Sequence, residues 1–459
     1  MPKLRLLVNT QTPLVQFLRR PGAGRPAAET PSVDLTRLTE GIDYRFSPGG
    51  VTRMVFPLVR KLLADGVLES AHWVSLNPNA PVTAELPGIT LHHVRIDPER
   101  MAGYGTTKEA IWATAHGLVS KSKTEGLFWT DDATEYTFYN RTTAMRIREL
   151  DHDLDFDLFY IHDFQQLPIG QMLGTLKPKL FRWHIPFDVS AIPSDWRPVI
   201  RRYLSAYDRI VVSSDRYRRD LERLGQRDDV LRIYPYIDPG EYKTSPTSAE
   251  VRATCEKFGI SPRDTVGLVV ARMDPTKGQD RALAALSLVK TALPTLRLVF
   301  VGNGSFSSSK GGLGLSKSES WRAQLDEKAR KAEISDRVVF TGHVTQPELD
   351  ALYERSDFTV LPSINEGFGL VVVESWIHRR PALVTDRAGV AELITDGENG
   401  LLFNPESATG LARQMRRIAL DDGTLRRRLV EGGRRAARTC SLDTAARQER
   451  ELFEELVGG

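Results

Sequence analysis

Short apolar runs, each breaking into a polar loop and then a helical stretch, recur along this chain, and that alternation admits few folds. Leu4–Val8 runs into Asn9 and Thr10. AHWVSLN, ITLHHVRID, DFDLFYIHD (155–163), KPKLFRWHIPFD (177–188), AYDRIVVSSD (206–215) and VLRIYPYID (230–238) repeat the pattern. After residue 240 a second series follows: TVGLVVA, RLVFVG, RVVFTG, FTVLPS, PALVTD and GLLF. Strands buried on both faces read as near-continuous apolar runs, and strands alternating with helices pack as parallel doubly wound sheets. The expectation is an α/β protein of two Rossmann-like domains, with a ligand cleft at the carboxyl ends of the strands. The boundaries are placed at 1–239, 240–440 and a charged amphipathic helix over 441–459, a candidate to pack back on the first domain.

A chain of 459 residues is too long for one ordinary domain. Apolar residues make up 41% and charged residues 26%, the balance of a water-soluble globular protein. The formal charge of +3 suits an acidic ligand without implying nucleic acid, and no nucleic-acid partner is expected. Arg216–Arg219 and Arg426–Arg438 read as solvated helix faces, with contact to acidic lipid as the alternative. Peripheral membrane contact and a homodimer therefore stay open. The two cysteines, Cys255 and Cys440, lack metal-ligand spacing and suit a reducing compartment. The opening apolar run is too short for a signal peptide or a span, and the expected location is cytoplasmic.

Three segments carry weaker signals. Residues 21–50 and 305–320 read as loops, the latter on the surface. Residues 101–150 mix aromatic and polar groups in a way that suits a cleft wall. DHDLDFD (151–157) reads as a solvated acidic loop before a strand, at the wrong end for the cleft. A helix over 51–66 follows Gly49 and Gly50, which would let a phosphate approach its start.

The chemistry concentrates in the second half. In LPSINEGFGLVVVES a strand ends at Leu361, the EGFG turn carries Glu366, Gly367 and Phe368, and a helix starts near Gly369 and Leu370. Glycines and free N–H groups at a helix start hold phosphate. Two carboxylates there, Glu366 and Glu374, make sense as hydroxyl binders, one for a sugar and one for a ribose. In GLVVARMDPTKGQD, Arg272 and Lys277 lie five apart in a strand-end loop. A guanidinium and an ammonium so placed form a diphosphate clamp that stabilises charge on a leaving group. VFVGNGS adds Gly302 and Asn303 after another strand. Each piece alone is also compatible with ordinary surface groups; their order together is not.

That order resembles the retaining glycosyltransferases of family 4, with the GT-B fold, most densely over residues 266–405: RMDPTKG, VFVGNG, VVFTGHV, LPSINEGFGLVVVES and DGENGLLF. Weaker similarity reaches SPGGV. Glu366 and Glu374 occupy the family's E-x7-E positions. The resemblance implies that Glu366 contacts donor-sugar hydroxyls, Glu374 the ribose, Arg272 and Lys277 the diphosphate, the amides of Gly369 and Leu370 the sugar and phosphate, and Val344 the base. It implies no catalytic metal and no tightly bound cofactor. The donor substrate would be a nucleoside-diphospho-sugar such as UDP-, ADP- or GDP-glucose, and the acceptor a small sugar-like molecule.

YIHDFQQLP (160–168) and FRWHIPFD (181–188) are similar to segments of trehalose-phosphate synthases and related trehalose-forming enzymes. By that likeness Asp163 faces the acceptor and His184 the reacting sugar. Trp129, Tyr136, Tyr139 and Arg141 lie in the region where those enzymes hold an acceptor phosphate. Glu366 departs from them, since their donor loop carries an aspartate there. The resemblance implies a trehalose-type transfer with retention and front-face attack. The alternatives are a lipid or polysaccharide acceptor at a membrane, or a non-catalytic sugar-nucleotide-binding protein.

Overall fold

The computed structural model describes residues 2–18, 32–47, 49–78, 80–242, 245–302 and 315–458. It divides into two compact units, Met1–Pro235 with Leu442–Gly459, and Tyr236–Ser441.

The first unit holds β1 (Leu4–Thr10), β2 (Val15–Phe17), β3 (Ser32–Asp34), β4 (Tyr44–Phe46), β5 (Leu68–Leu76), β6 (Thr83–Leu86), β7 (Ile89–Val94), β8 (Leu158–His162), β9 (Lys179–Arg182), β10 (Arg209–Val212) and β11 (Val230–Arg232). Nine of them form one sheet in the order β11-β10-β9-β8-β1-β5-β7-β6-β3. Its pairings are parallel except β6 with β7. The apolar run of β1 is buried at Leu6, Leu7 and Val8, as expected of a strand covered on both faces. Strand order reverses at β1, flanked by β5 on one side and β8 on the other.

Several expectations are corrected here. Residues 101–150, read above only as a mixed aromatic and polar segment, form two helices, Pro98–Ala115 and Asp131–Leu154, joined through short 3-10 turns. Tyr136, Tyr139, Thr143, Ile147 and Leu150 recur at helical spacing on the second one and are buried. Tyr136 and Tyr139 join the core with Tyr104, while Trp129 is exposed. Asp151–Leu154 close that second helix rather than forming a loop, and their neighbours are paired. Lys177 Nζ donates to Asp151 Oδ1 at 2.7 Å and Asp155 Oδ1 at 2.8 Å, and Arg5 N donates to Asp157 Oδ2 at 2.7 Å. β3, β4 and a 3-10 turn at Leu35–Arg37 interrupt the loop expected over 21–50, of which residues 21–31 and 48 lie outside the described residues. Of the loop expected over 305–320, residues 305–314 lie outside the described residues, and a helix begins at Leu315.

The helix Leu442–Gly458 belongs to the first unit. Its Glu449 is fully buried, and Oε1 accepts from Tyr160 Oη at 2.9 Å and from Arg182 Nη1. Arg182 Nη2 donates to Ile233 O at 3.0 Å. A buried charge persists only when so partnered.

The second unit holds β12 (Thr265–Val270), β13 (Leu296–Val301), β14 (Val338–Gly342), β15 (Phe358–Leu361), β16 (Ala382–Thr385) and β17 (Leu401–Phe403). They form one sheet, β14-β13-β12-β15-β16-β17, with every described pairing parallel. Order reverses between β12 and β15, the place where ligands of such sheets bind. Among the described residues no helix is long and apolar enough to cross a membrane.

Candidate active site

The loops leaving β12 and β15 lie side by side because a glycine lets them touch. After β12, Asp274 shapes a single 3-10 turn, Pro275–Lys277: its Oδ1 accepts from Thr276 N at 3.0 Å and Thr276 Oγ1 at 2.8 Å. Gly278 ends the turn at φ 67°, and a Cβ there would lie 2.0 Å from the Pro362 carbonyl oxygen. Only glycine fits. Ile364 N then donates to Thr276 O at 2.9 Å, tying the loops together.

The consequence is a charge pair. Lys277 Nζ donates to Glu366 Oε2 at 2.7 Å, and Ser363 Oγ donates to the same oxygen at 2.9 Å. The two side chains keep 16% and 18% of their surface exposed, so water or ligand reaches both. Gln279 Nε2 donates to Arg272 O at 2.6 Å, and Trp321 Nε1 donates to Gln279 Oε1 at 3.1 Å, which fixes the backbone from which the Arg272 guanidinium leaves.

The EGFG turn is braced from the 3-10 turn Gly389–Leu393 that follows β16. Gly389 N donates to Glu366 O at 3.2 Å and Val390 N to Phe368 O at 2.9 Å. The Phe368 side chain is buried. Gly369, at φ 102°, caps the helix Leu370–Ile377, whose start has no side-chain cap. Such an end keeps N–H groups for an anion. Glu374 projects from this helix, only 7% exposed. Tyr353 Oη donates to its Oε2 at 2.9 Å and Tyr242 Oη to its Oε1 at 3.4 Å. The Tyr353 ring stacks on His378 at 4.5 Å, and His378 Nε2 lies 3.4 Å from Asp350 Oδ1. Val344 is half-buried against the cluster that contains Leu352 and Tyr353. Gly302 serves the strand ends, at φ 123° with its Cβ position 2.3 Å from Ala271 O. Asn303 lies outside the described residues.

In the first unit, Asp163 and His184 follow the neighbouring strands β8 and β9. Asp163 has φ 70° and ψ 165°, a conformation nearly reserved for glycine and costing of order 1–3 kcal/mol. It is held there because Asp163 N donates to Arg182 O at 2.7 Å while its Oδ1 accepts from Phe164 N at 3.1 Å and His184 N at 3.4 Å. Tyr136 Oη secures the next residue by donating to Phe164 O at 2.5 Å. Burial pushes the Asp163 carboxyl up to about 7, against the pull of the N–H groups of Phe164, His184 and Ile185. His162 Nδ1 lies 3.0 Å from His184 Nε2. Gly49 caps the helix Gly50–Ala64 without a side-chain bond, beside Thr12 of the loop after β1. A Cβ on Gly50 would meet no atom within 4 Å, so the fold itself does not require glycine there.

Residues 252–436 match the family described as glycosyl transferases group 1. That stretch of the chain, within the second unit, is a group 1 glycosyl transferase region. Its match to D-inositol 3-phosphate glycosyltransferase of Streptomyces bingchenggensis is 23% identical over 90% of this chain and 86% of that one. Trehalose synthase of Thermococcus litoralis is 30% identical over 54% of this chain and 57% of its own. The UDP-forming α,α-trehalose-phosphate synthase of Burkholderia xenovorans superimposes with a TM-score of 0.72 at 16% identity, covering 100% of this chain and 99% of that one. At that identity the likeness shows the fold, which is GT-B, as the two doubly wound sheets led one to expect.

In the second unit the candidates gather at one sheet end, from Arg272 and Lys277 through Glu366–Leu370 to Glu374. Sequence reasoning missed their supports. Gly278 was visible as the glycine after Lys277, and Ser363 lies three residues before Glu366. Tyr353 and Tyr242 carried no local signal, because they reach Glu374 from elements distant in the chain.

Proposed function

We propose that this glycosyltransferase moves glucose, with retention, from a nucleoside-diphospho-glucose to glucose or a sugar phosphate, as a trehalose-type synthase does. The observation that carries the reading is the Lys277–Glu366 pair at the β12/β15 reversal, with Arg272 on the same loop. Arg272 and Lys277 take the diphosphate, Glu366 the sugar hydroxyls and Glu374 the ribose. The amides of Gly369 and Leu370 take sugar and phosphate oxygens, with Gly49 and Gly50 leaving room for phosphate. Gly302 and Asn303 complete the donor loops, Gly367 and Phe368 contribute backbone, and Val344 lies against the base.

Once Lys277 turns to the diphosphate, Glu366 is released to accept from hydroxyls. The transition state carries oxocarbenium character, and the leaving phosphate gains charge that the two cations stabilise. Asp163 receives the acceptor hydroxyl's hydrogen bond and His184 contacts the transferred sugar. Trehalose synthase and inositol-phosphate glycosyltransferase among the relatives favour a small polyol-like acceptor. The test is a matrix of UDP-, ADP- and GDP-glucose against glucose, glucose phosphates and inositol phosphates, read by mass spectrometry. A disaccharide-mass product supports the reading, and product only with lipid or polysaccharide acceptors overturns it.

A further inference from the structure

Two neutral imidazoles meet beside the strained Asp163, and the environment of the hidden ring decides which way their shared proton points. His162 is 1% exposed, its ring lying 4.1 Å from Tyr160 and stacked 5.3 Å from His184. Its Nδ1 faces His184 Nε2 at 3.0 Å, and its Nε2 is buried with no hydrogen-bond partner among the described residues. Tyr160 Oη accepts from Arg182 Nη1 at 3.2 Å and donates to Glu449 Oε1 at 2.9 Å, so the guanidinium at that hydroxyl is paired with a carboxylate. Burial and the Arg182 charge hold both rings well below the ordinary histidine range, with His162 adding to the effect on His184. Each ring is therefore neutral and carries one N–H.

Only two arrangements let the rings bond. In the first, His184 Nε2–H donates to His162 Nδ1, which forces the His162 proton onto Nε2. That leaves a buried N–H without an acceptor. In the second, His162 Nδ1–H donates to His184 Nε2, and the orphaned His162 Nε2 is a bare lone pair. A buried N–H left unsatisfied is rarer than an under-used acceptor. The second arrangement wins, and it puts the His184 proton on Nδ1. His184 is only partly buried.

We propose that His162 is a positioning residue that fixes His184 as the Nδ1–H tautomer, so that His184 offers a donor to a hydroxyl of the transferred sugar. The sugar contact rests on the function proposed above; the tautomer does not. The same unit contains an internal contrast. His72 Nδ1 lies 3.0 Å from His92 Nε2, but there the orphan is His92 Nδ1. The same reasoning makes His92 the Nε2–H donor and bares its Nδ1.

Long-range 1H–15N correlation spectra of the full chain at neutral pH read the tautomers directly. The expected result is a protonated Nδ1 and bare Nε2 on both His162 and His184, with the opposite tautomer on His92. A protonated Nε2 on His184 overturns the proposal, whatever the variants do. His162→Phe, checked for folding by its melting transition, is expected to lower turnover about tenfold, the effect of one neutral hydrogen bond. His162→Asn, whose amide can replace the Nδ1–H donor, recovers most of that loss. Full turnover in His162→Phe also overturns the proposal. Full turnover in His184→Ala would instead remove the sugar contact while leaving the tautomer result standing.

Discussion

Lys277 Nζ donates to Glu366 Oε2 at 2.7 Å although 89 residues separate them in the chain. Each side chain holds the other in place, and each is assigned to a different part of the donor. Lys277→Ala is expected to lower turnover by roughly 10²–10³, the usual effect of losing a charge-stabilising donor, with little change in melting temperature. Steady-state kinetics beside a thermal melt checks this. Normal turnover in both Lys277→Ala and Arg272→Ala would remove the diphosphate assignment.

Tyr353 matters through Glu374. Its hydroxyl supplies a 2.9 Å hydrogen bond to a carboxylate that is only 7% exposed. Tyr353→Phe leaves that oxygen short of a partner, a penalty of about 1–3 kcal/mol. The loss falls on ribose binding in ground and transition state alike, so the donor KM rises several-fold while kcat holds. A fall in kcat at unchanged KM would place Glu374 in the chemical step instead.

Asp163 gives activity a pH signature. Its carboxyl, pushed up to about 7 by burial, is neutral below that value and ionised above it. As the ionised form accepts from the acceptor hydroxyl, kcat/KM is expected to rise with pH through about 7. Asp163→Asn should lower the rate and abolish that limb. A variant that keeps the limb would assign it to another group.

The buried His92 makes its own contribution to stability rise with pH. Burial, aided by the charges of His72, Arg146 and His93, lowers His92 from 6.5 to about 3. The unfolded chain takes up this proton below about 6.5, whereas the folded chain waits until about 3. The contribution of His92 to folding stability is therefore fully present above 6.5 and is lost progressively as pH falls toward 3. Asp163, raised in the fold, acts in the opposite direction, so denaturant titrations at pH 7.5 and 5.0 compare the native chain with His92→Phe, and the same pH dependence in both proteins would contradict the assignment.

The strands and the tight loops after β12 and β15 were legible in the sequence because their causes are local. Apolar runs mark buried parallel strands, and Lys277 followed by Gly278 marks a turn that ends tightly. The helices around Tyr136 and Tyr139 were missed because weak apolar periodicity was masked by polar neighbours such as Asn140 and Thr143, which the fold buries. The strain at Asp163 and the tie between Tyr353 and Glu374 had no local cause to read. They arise only when β8 meets β9, or when two helices of the second unit pack together.

The most direct test of the donor assignment is a calorimetric titration of UDP-, ADP- and GDP-glucose into the full chain and into the Arg272→Ala, Lys277→Ala double variant. The account predicts saturable binding of at least one glucose nucleotide by the native chain and a loss of at least tenfold in the variant. Equal affinity in the two proteins, or no binding of any of the three, would contradict it.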